Sequence, residues 1–217
     1  MCFDLHVHST YSMDSVTTID EIIDRAEALG LSGVAICDHN TTEGALEAMT
    51  LAKELRTSVQ IIPGIEVSTI EGHLLVIGVT ELIHPGKRVK ETIRVAGELG
   101  GVTIAPHPFK YGRKKSIGYV RDLDVDAIET VNSRCRLVCS NRRAKRMAEA
   151  LGKPQVAGSD SHRPDMIGMA YTKITPVGGE SILDAIRGGR TQPAGRLAPI
   201  RVVVEQAYRG VCRSFNL

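Results

Sequence analysis

Short apolar runs alternate along this chain with amphipathic segments of helical period, and that alternation restricts the fold more than any other feature. Residues 3–7, 33–37, 59–62, 74–79, 102–105, 127–131, 155–157 and 200–204 read as strands. Helices are expected between them, near 18–29, 43–56, 87–99, 141–151, 180–187 and 205–213. Thr18 and Glu21 have the spacing of a capping box, Ile22, Ile23, Ala26 and Leu29 follow at helical spacing, and Gly30 is a suitable stop. Asn40 and Glu43 form a second plausible capping pair. Repeated strand–helix units call for an α/β fold, with parallel strands and helices packed outside them. An open sheet and a barrel both satisfy the pattern. No repeat, linker or low-complexity tract divides the 217 residues, so one domain over 1–217 is the simplest count.

The chemistry-bearing residues cluster on this frame. Of seven histidines, six fall at the ends of expected strands: His6 and His8 after the first, His39, His107 and His162 after later ones, and His73 just ahead of another. Asp4, Asp14, Asp38, Glu66 and Asp160 share these places. Loops at the carboxyl ends of parallel strands converge on one face, so residues far apart in sequence can meet there. Residues two apart on a strand point to one side, which lets His6 and His8 reach a single ion. Imidazoles mixed with carboxylates suit Zn, Mn or Fe better than Ca or Mg. Taken alone, His6-Val7-His8 carries little, Asp38-His39 reads equally as a turn and cap, and Ser159-Asp160-Ser161-His162 as a polar turn. It is the combination that points to metal.

Composition narrows the partners. A net charge of +2 and 4% aromatics, with no Trp, give little support for a stable long nucleic-acid partner. No stretch approaches the ~20 apolar residues that span a bilayer, and the N-terminus has no basic region leading into an apolar one. Five cysteines form no CxxC pair. A cytoplasmic protein without membrane partners is expected, and the oligomeric state is not legible.

Four separated motifs together resemble the PHP (polymerase and histidinol phosphatase) family. They are Asp4-Leu5-His6-Val7-His8-Ser9-Thr10, Asp38-His39-Asn40, Gly64-Ile65-Glu66-Val67-Ser68 and Gly158-Ser159-Asp160-Ser161-His162, with His73 and Pro106-His107-Pro108 between them. The resemblance spans most of the chain. It implies a distorted (β/α)7 TIM-like barrel with two or three divalent ions (Zn, Mn or Fe) at the carboxyl ends of its strands. His6, His8, Glu66 and Asp160 would hold one ion, Glu66 with His73 and His107 a second, and Asp14, His39 and His162 a third. Asp14 stands where the family has His or Asp. Asp14-Ser15 and Asp38-His39-Asn40 depart from the family's Asp-Gly and Asp-His-Asp.

The resemblance further implies a metal-dependent phosphoesterase in which a hydroxide bridging two ions attacks phosphorus, with Glu66, Asp160 and His162 as catalytic residues. Asp4 and Asp38 are suited to orient a ligand imidazole through its other N–H, or to serve as caps. Lys110, Arg113, Lys114 and Lys115 could grip phosphate or form a solvated run. Arg190 is a further candidate for phosphate contact, whereas Arg134 and the bases near 142–146 read by default as a solvated face. A phosphorylated small molecule, nucleotide or short oligonucleotide is the expected substrate. Alternatives are an oligonucleotide exonuclease or phosphodiesterase on the same site, a metal-dependent amidohydrolase, and a non-catalytic metal-stabilised regulatory module.

Overall fold

The protein is described from a computed structural model over residues 1–110, 116–135 and 139–202. Its strands are β1 (Cys2–Val7), β2 (Gly33–Ile36), β3 (Gln60–Ser68), β4 (His73–Ile77), β5 (Val102–Ala105), β6 (Ala127–Asn132), β7 (Gln155–Gly158), β8 (Ala170–Ile174) and β9 (Thr191–Gly195). The helices are α1 (Ile19–Ala28), α2 (Glu43–Leu55), α3 (Val89–Glu98), α4 (Ser140–Leu151) and α5 (Ile182–Arg187). One nine-stranded sheet runs in the order β7-β6-β5-β4-β3-β2-β1-β8-β9. It curls back on itself: Val7 at the end of β1 forms a parallel bridge with Ser161 after β7, and Thr172 of β8 exchanges hydrogen bonds with the Ala157 backbone. The barrel is nearly closed.

The described residues depart from seven regular strand–helix units. β4 runs antiparallel to both β3 and β5, and β8 runs antiparallel to β1 and β9. Sequence reading misses β8 and β9. In β8 the signal is a short alternation, with Ala170, Thr172 and Ile174 buried and Tyr171 and Lys173 more exposed. β9 carries Pro193 and Gly195 on a sheet edge, where Pro costs no ladder bond. The expected strand at 200–204 is corrected over its described part, because residues 200–202 are helical. The helix expected at 205–213 lies outside the described residues. Among those residues no helix is long and apolar enough to cross a membrane.

Local chemistry explains the helix starts. Thr18 and Glu21 form the reciprocal capping box, Thr18 Oγ1 accepting from Glu21 N and Glu21 Oε2 from Thr18 N. The Asn40–Glu43 pair does not form. Asn40 adopts φ 58°, and its amide binds Ser68 at both N (2.7 Å) and Oγ (3.1 Å) while its backbone N–H goes to Glu66 O. Asn tolerates this left-handed turn. Asn40 thus ties the end of β2 to β3 instead of capping α2, whose N-cap is Thr42.

One apolar cluster joins Phe3, Leu5, Ala35, Cys37, Ile62, Leu75, Ile104 and Ile174 to Ala185 and Ile186 of α5. It draws residues from strands around the whole sheet, as the inside of a curling sheet requires. A second cluster packs Ile22, Ile23 and Ala26 of α1 on Val34, Ile36 and Val7. Two bulges lie beside the carboxyl ends. From Asp4 to Val7, β1 advances three residues while β2 advances two, from Val34 to Ile36. From Glu129 to Val131, β6 advances two while β7 advances one. An extra residue reverses which side the next side chains face. Phe3 therefore joins the inner cluster and Val7 the outer one, although they stand an even four positions apart.

Close approach fixes one glycine. A Cβ on Gly158 would lie 2.3 Å from His6 Cβ and 2.8 Å from His6 N. Gly158→Ala should cost about 1–3 kcal/mol by forcing β1 and β7 apart. Chemical denaturation should show a lower midpoint with an unchanged slope; an unshifted midpoint would mean that the two strands separate freely.

Candidate metal centre

Glu66 is buried near the end of β3 and is ringed by imidazoles. Its Oε1 lies 3.0 Å from His73 Nδ1, 3.1 Å from His107 Nε2 and 3.6 Å from His6 Nε2. Its Oε2 lies 2.9 Å from His39 Nδ1 and 3.5 Å from His8 Nε2. The antiparallel direction of β4 matters here: its first residue, His73, lands on the face where the parallel strands end, opposite Ser68. Asp160, after β7, puts Oδ1 3.9 Å from His6 Nε2 and 3.7 Å from His8 Nε2. On the far side Asp14 lies 3.1 Å from His162 Nε2 and 3.7 Å from His39 Nε2. All nine residues read as ligand candidates thus share one site.

The hydrogen bonds turn lone pairs inward. Ser12 Oγ donates to Asp38 Oδ1 (2.7 Å), which leaves its own lone pairs for His8 Nδ1–H (3.1 Å) and His39 N–H (3.0 Å). Glu129 Oε1 accepts from His6 Nδ1–H at 3.0 Å. With both Nδ1 atoms directed outward, the Nε2 atoms of His6 and His8 sit 3.1 Å apart and face Glu66 and Asp160. Four groups of ligand atoms lie within 4.8 Å of one another: His8, His39 and His162; His6, His107 and Asp160; His6, His8 and Glu66; and His39, Glu66 and His73. Among the described residues, buried His73 Nδ1 and Asp14 Oδ1 make no hydrogen bond. Converging acceptors without donors are what a divalent cation satisfies, so the residues fit the ions the sequence implies.

Charge follows the same logic. Burial alone would raise the Glu66 carboxyl, but His73, His39 and the His107 hydrogen bond hold it well below the usual range. Burial opposes charge on His39 too, yet Glu66 and Asp14 outweigh it and hold the imidazole at about 10. His162 goes the other way, to about 4, because burial and then the Arg134 cation both disfavour its protonated form. Burial and the neighbouring His162 and His39 likewise push His8 well below 6.5. Asp160 and His107 hold left-handed backbone, at φ 54° and 31°. For residues other than glycine that costs of order 1–3 kcal/mol each and is concentrated at functional sites.

Several expectations are corrected. Asp4 orients no imidazole: its carboxylate accepts from the backbone N–H groups of His6, Ser159 and Gly168, tying β1 to the segment after β7. Asp38 reaches His8 through Ser12. Arg190 pairs with Glu180, and its backbone binds Thr175 beyond β8, at the amino end of β1 and away from the histidines. Arg113 and Lys114 lie outside the described residues. Arg134 is not on a solvated face; its side chain is 16% exposed and its Nη1 meets Asp160 Oδ1 at 3.1 Å and His162 at 3.0 Å. Sequence reading overlooked Glu129 and Asn132. A carboxylate inside the strand Ala-Ile-Glu-Thr-Val-Asn was the available signal, because buried charges occur where they are paired.

The family model for the PHP domain matches residues 4–143, more than half of the chain, and one for a PHP-associated region matches 139–191. The chain belongs to the PHP family. It is a metal-dependent phosphoesterase with a barrel-shaped sheet. An uncharacterized protein of Methanocaldococcus jannaschii is 36% identical over 140 residues, 60% of this chain and 81% of that protein. A 5'-3' exoribonuclease of Haemophilus influenzae is 45% identical over 67 residues, 31% of this chain and 23% of the enzyme. A phosphoribosyl 1,2-cyclic phosphate 1,2-diphosphodiesterase of Eggerthella lenta is 39% identical over 89 residues, 37% of this chain and 32% of the enzyme. Among solved structures, a two-domain protein of Bacteroides vulgatus containing a predicted PHP-like metal-dependent phosphoesterase superposes with a TM-score of 0.72 at 17% identity, covering 90% of this PHP chain and 65% of that one.

Removing the group that fixes the His6 tautomer should weaken the centre. Glu129→Ala is expected to lower metal affinity about 10–100-fold, read by competition with a chelating dye; unchanged affinity would show that the His6 ring is held without Glu129.

Proposed function

We propose that this chain hydrolyses phosphate monoesters of a small molecule or nucleotide at a trinuclear centre. One ion would be held by His6, His8, Glu66 and Asp160, a second by Glu66, His73 and His107, and a third by Asp14, His39 and His162. The observation that carries the reading is Glu66, a single buried carboxylate within 3.6 Å of five imidazoles. Zn, Mn or Fe ions bound there supply Lewis acidity, an activated water and neutralisation of phosphoryl charge.

The chain's own residues supply the rest. Lys110 Nζ and Arg134 Nη1 stand at Asp160, 2.5 and 3.1 Å from its oxygens, within reach of an anion entering the site. A planar guanidinium and a mobile ammonium together suit a tetrahedral phosphoryl group. His162, held neutral near pH 7, is suited to bind a cation rather than donate a proton. Asp38 and Ser12 keep His8 in one tautomer, and Glu129 does so for His6. Elements of both matched family regions share one sheet, which supports a single PHP domain over 1–217. Cys2, Cys37, Cys135 and Cys139 are free thiols, in keeping with a cytoplasmic setting.

A second reading, an oligonucleotide exonuclease or phosphodiesterase on the same residues, draws on the exoribonuclease and diphosphodiesterase relatives. Protein supplied with Mn or Zn should release inorganic phosphate from some member of a monoester panel. His8→Ala should reduce release to background, as should a chelator, with recovery on adding ions back. Turnover confined to oligonucleotides or cyclic diesters would replace the first reading by the second.

A further inference from the structure

Asp160 is paired with two cations of the chain at the position read as a metal ligand. Its Oδ2 accepts from Lys110 Nζ at 2.5 Å and Asn132 Nδ2 at 3.3 Å, and its Oδ1 accepts from Arg134 Nη1 at 3.1 Å. That same Oδ1 faces His6 and His8. The residue is 2% exposed, so these charges interact with little screening by water. A divalent ion taking Asp160 as a ligand must share the carboxylate with two cations already on it.

The two cations differ in how they can respond. Lys110 sits on a four-carbon stem, and its side chain is 19% exposed. Arg134 is slightly more enclosed, and its Nε is buried with no hydrogen-bond partner among the described residues. We propose that Lys110 is a built-in counter-ion that competes with divalent metal for Asp160 and, when displaced, joins Arg134 in holding the phosphoryl group of the substrate. Metal loading and anion capture are then coupled through one side chain. The coupling is reciprocal: metal frees Lys110 for phosphate, and phosphate draws Lys110 off Asp160. This rests on the reading of Asp160 as a metal ligand.

Calorimetric titration with Mn2+, with and without inorganic phosphate as the probe anion, tests it without any turnover. In wild-type protein, saturating phosphate should tighten the Mn2+ step about tenfold, within the usual range of such couplings. Lys110→Met should bind Mn2+ about tenfold tighter than wild type in the absence of phosphate, and phosphate should then add less than about twofold. Lys110→Arg, which keeps the charge, should behave as wild type, and Lys110→Gln repeats the neutral case should the Met variant fold poorly. A neutral variant that binds Mn2+ no tighter than wild type overturns the competition. Wild-type protein that binds no Mn2+, Zn2+ or Fe2+ removes the metal-centre reading, and this inference with it.

Discussion

The structure depends on a buried carboxylate that cannot stand alone. Glu66 is 1% exposed near the end of β3, where an isolated charge would be costly. Five imidazoles from the ends of β1, β2, β4 and β5 surround it. Burial opposes charge on His39, but Glu66 and Asp14 hold it at about 10, so it stands as a cation beside Glu66, whereas His8 is pushed well below its ordinary value. Beside the cluster, Lys110 and Arg134 pair with Asp160, the second buried carboxylate that faces His6 and His8. The barrel beneath the cluster brings these strand ends to one place.

Around that cluster, backbone irregularity does the aiming. The bulge in β1 lets Leu5 reach the inner cluster while His6 and His8 reach Glu66. The bulge in β6 lets Glu129 and Asn132 both serve the site although they are three residues apart. Asn40 and Asp160 turn the chain through left-handed backbone in the loops that follow β2 and β7. Local cost is accepted where side-chain direction matters most, and packing elsewhere in the barrel sustains it.

Metal-ligand candidates and phosphate-binding candidates were not equally legible. Imidazoles and carboxylates at strand ends form a pattern that survives uncertainty in element boundaries, so His6, His39, Glu66 and His162 stand out along the chain. Basic residues do not announce their partners. Arg134 read as solvated because it neighbours a basic amphipathic helix, yet its side chain turns inward to Asp160. Arg190 read as a phosphate contact, yet Glu180 lies within its reach on the same connection. A long flexible cation goes to whichever carboxylate the fold places nearby, and that distance is not written in the local sequence.

The sequence by itself determined the alternating strand–helix frame, the capping box at Thr18 and the nine ligand candidates centred on Glu66, because periodicity and residue chemistry are local properties. Only the tertiary structure decided that β4 and β8 run antiparallel to their neighbours, that Asp4 serves backbone amides, and that Lys110 and Arg134 converge on Asp160. These depend on strand direction, on single-residue register shifts and on distances between segments some 25 to 160 residues apart. No window of sequence contains that information, since it arises only when the sheet closes.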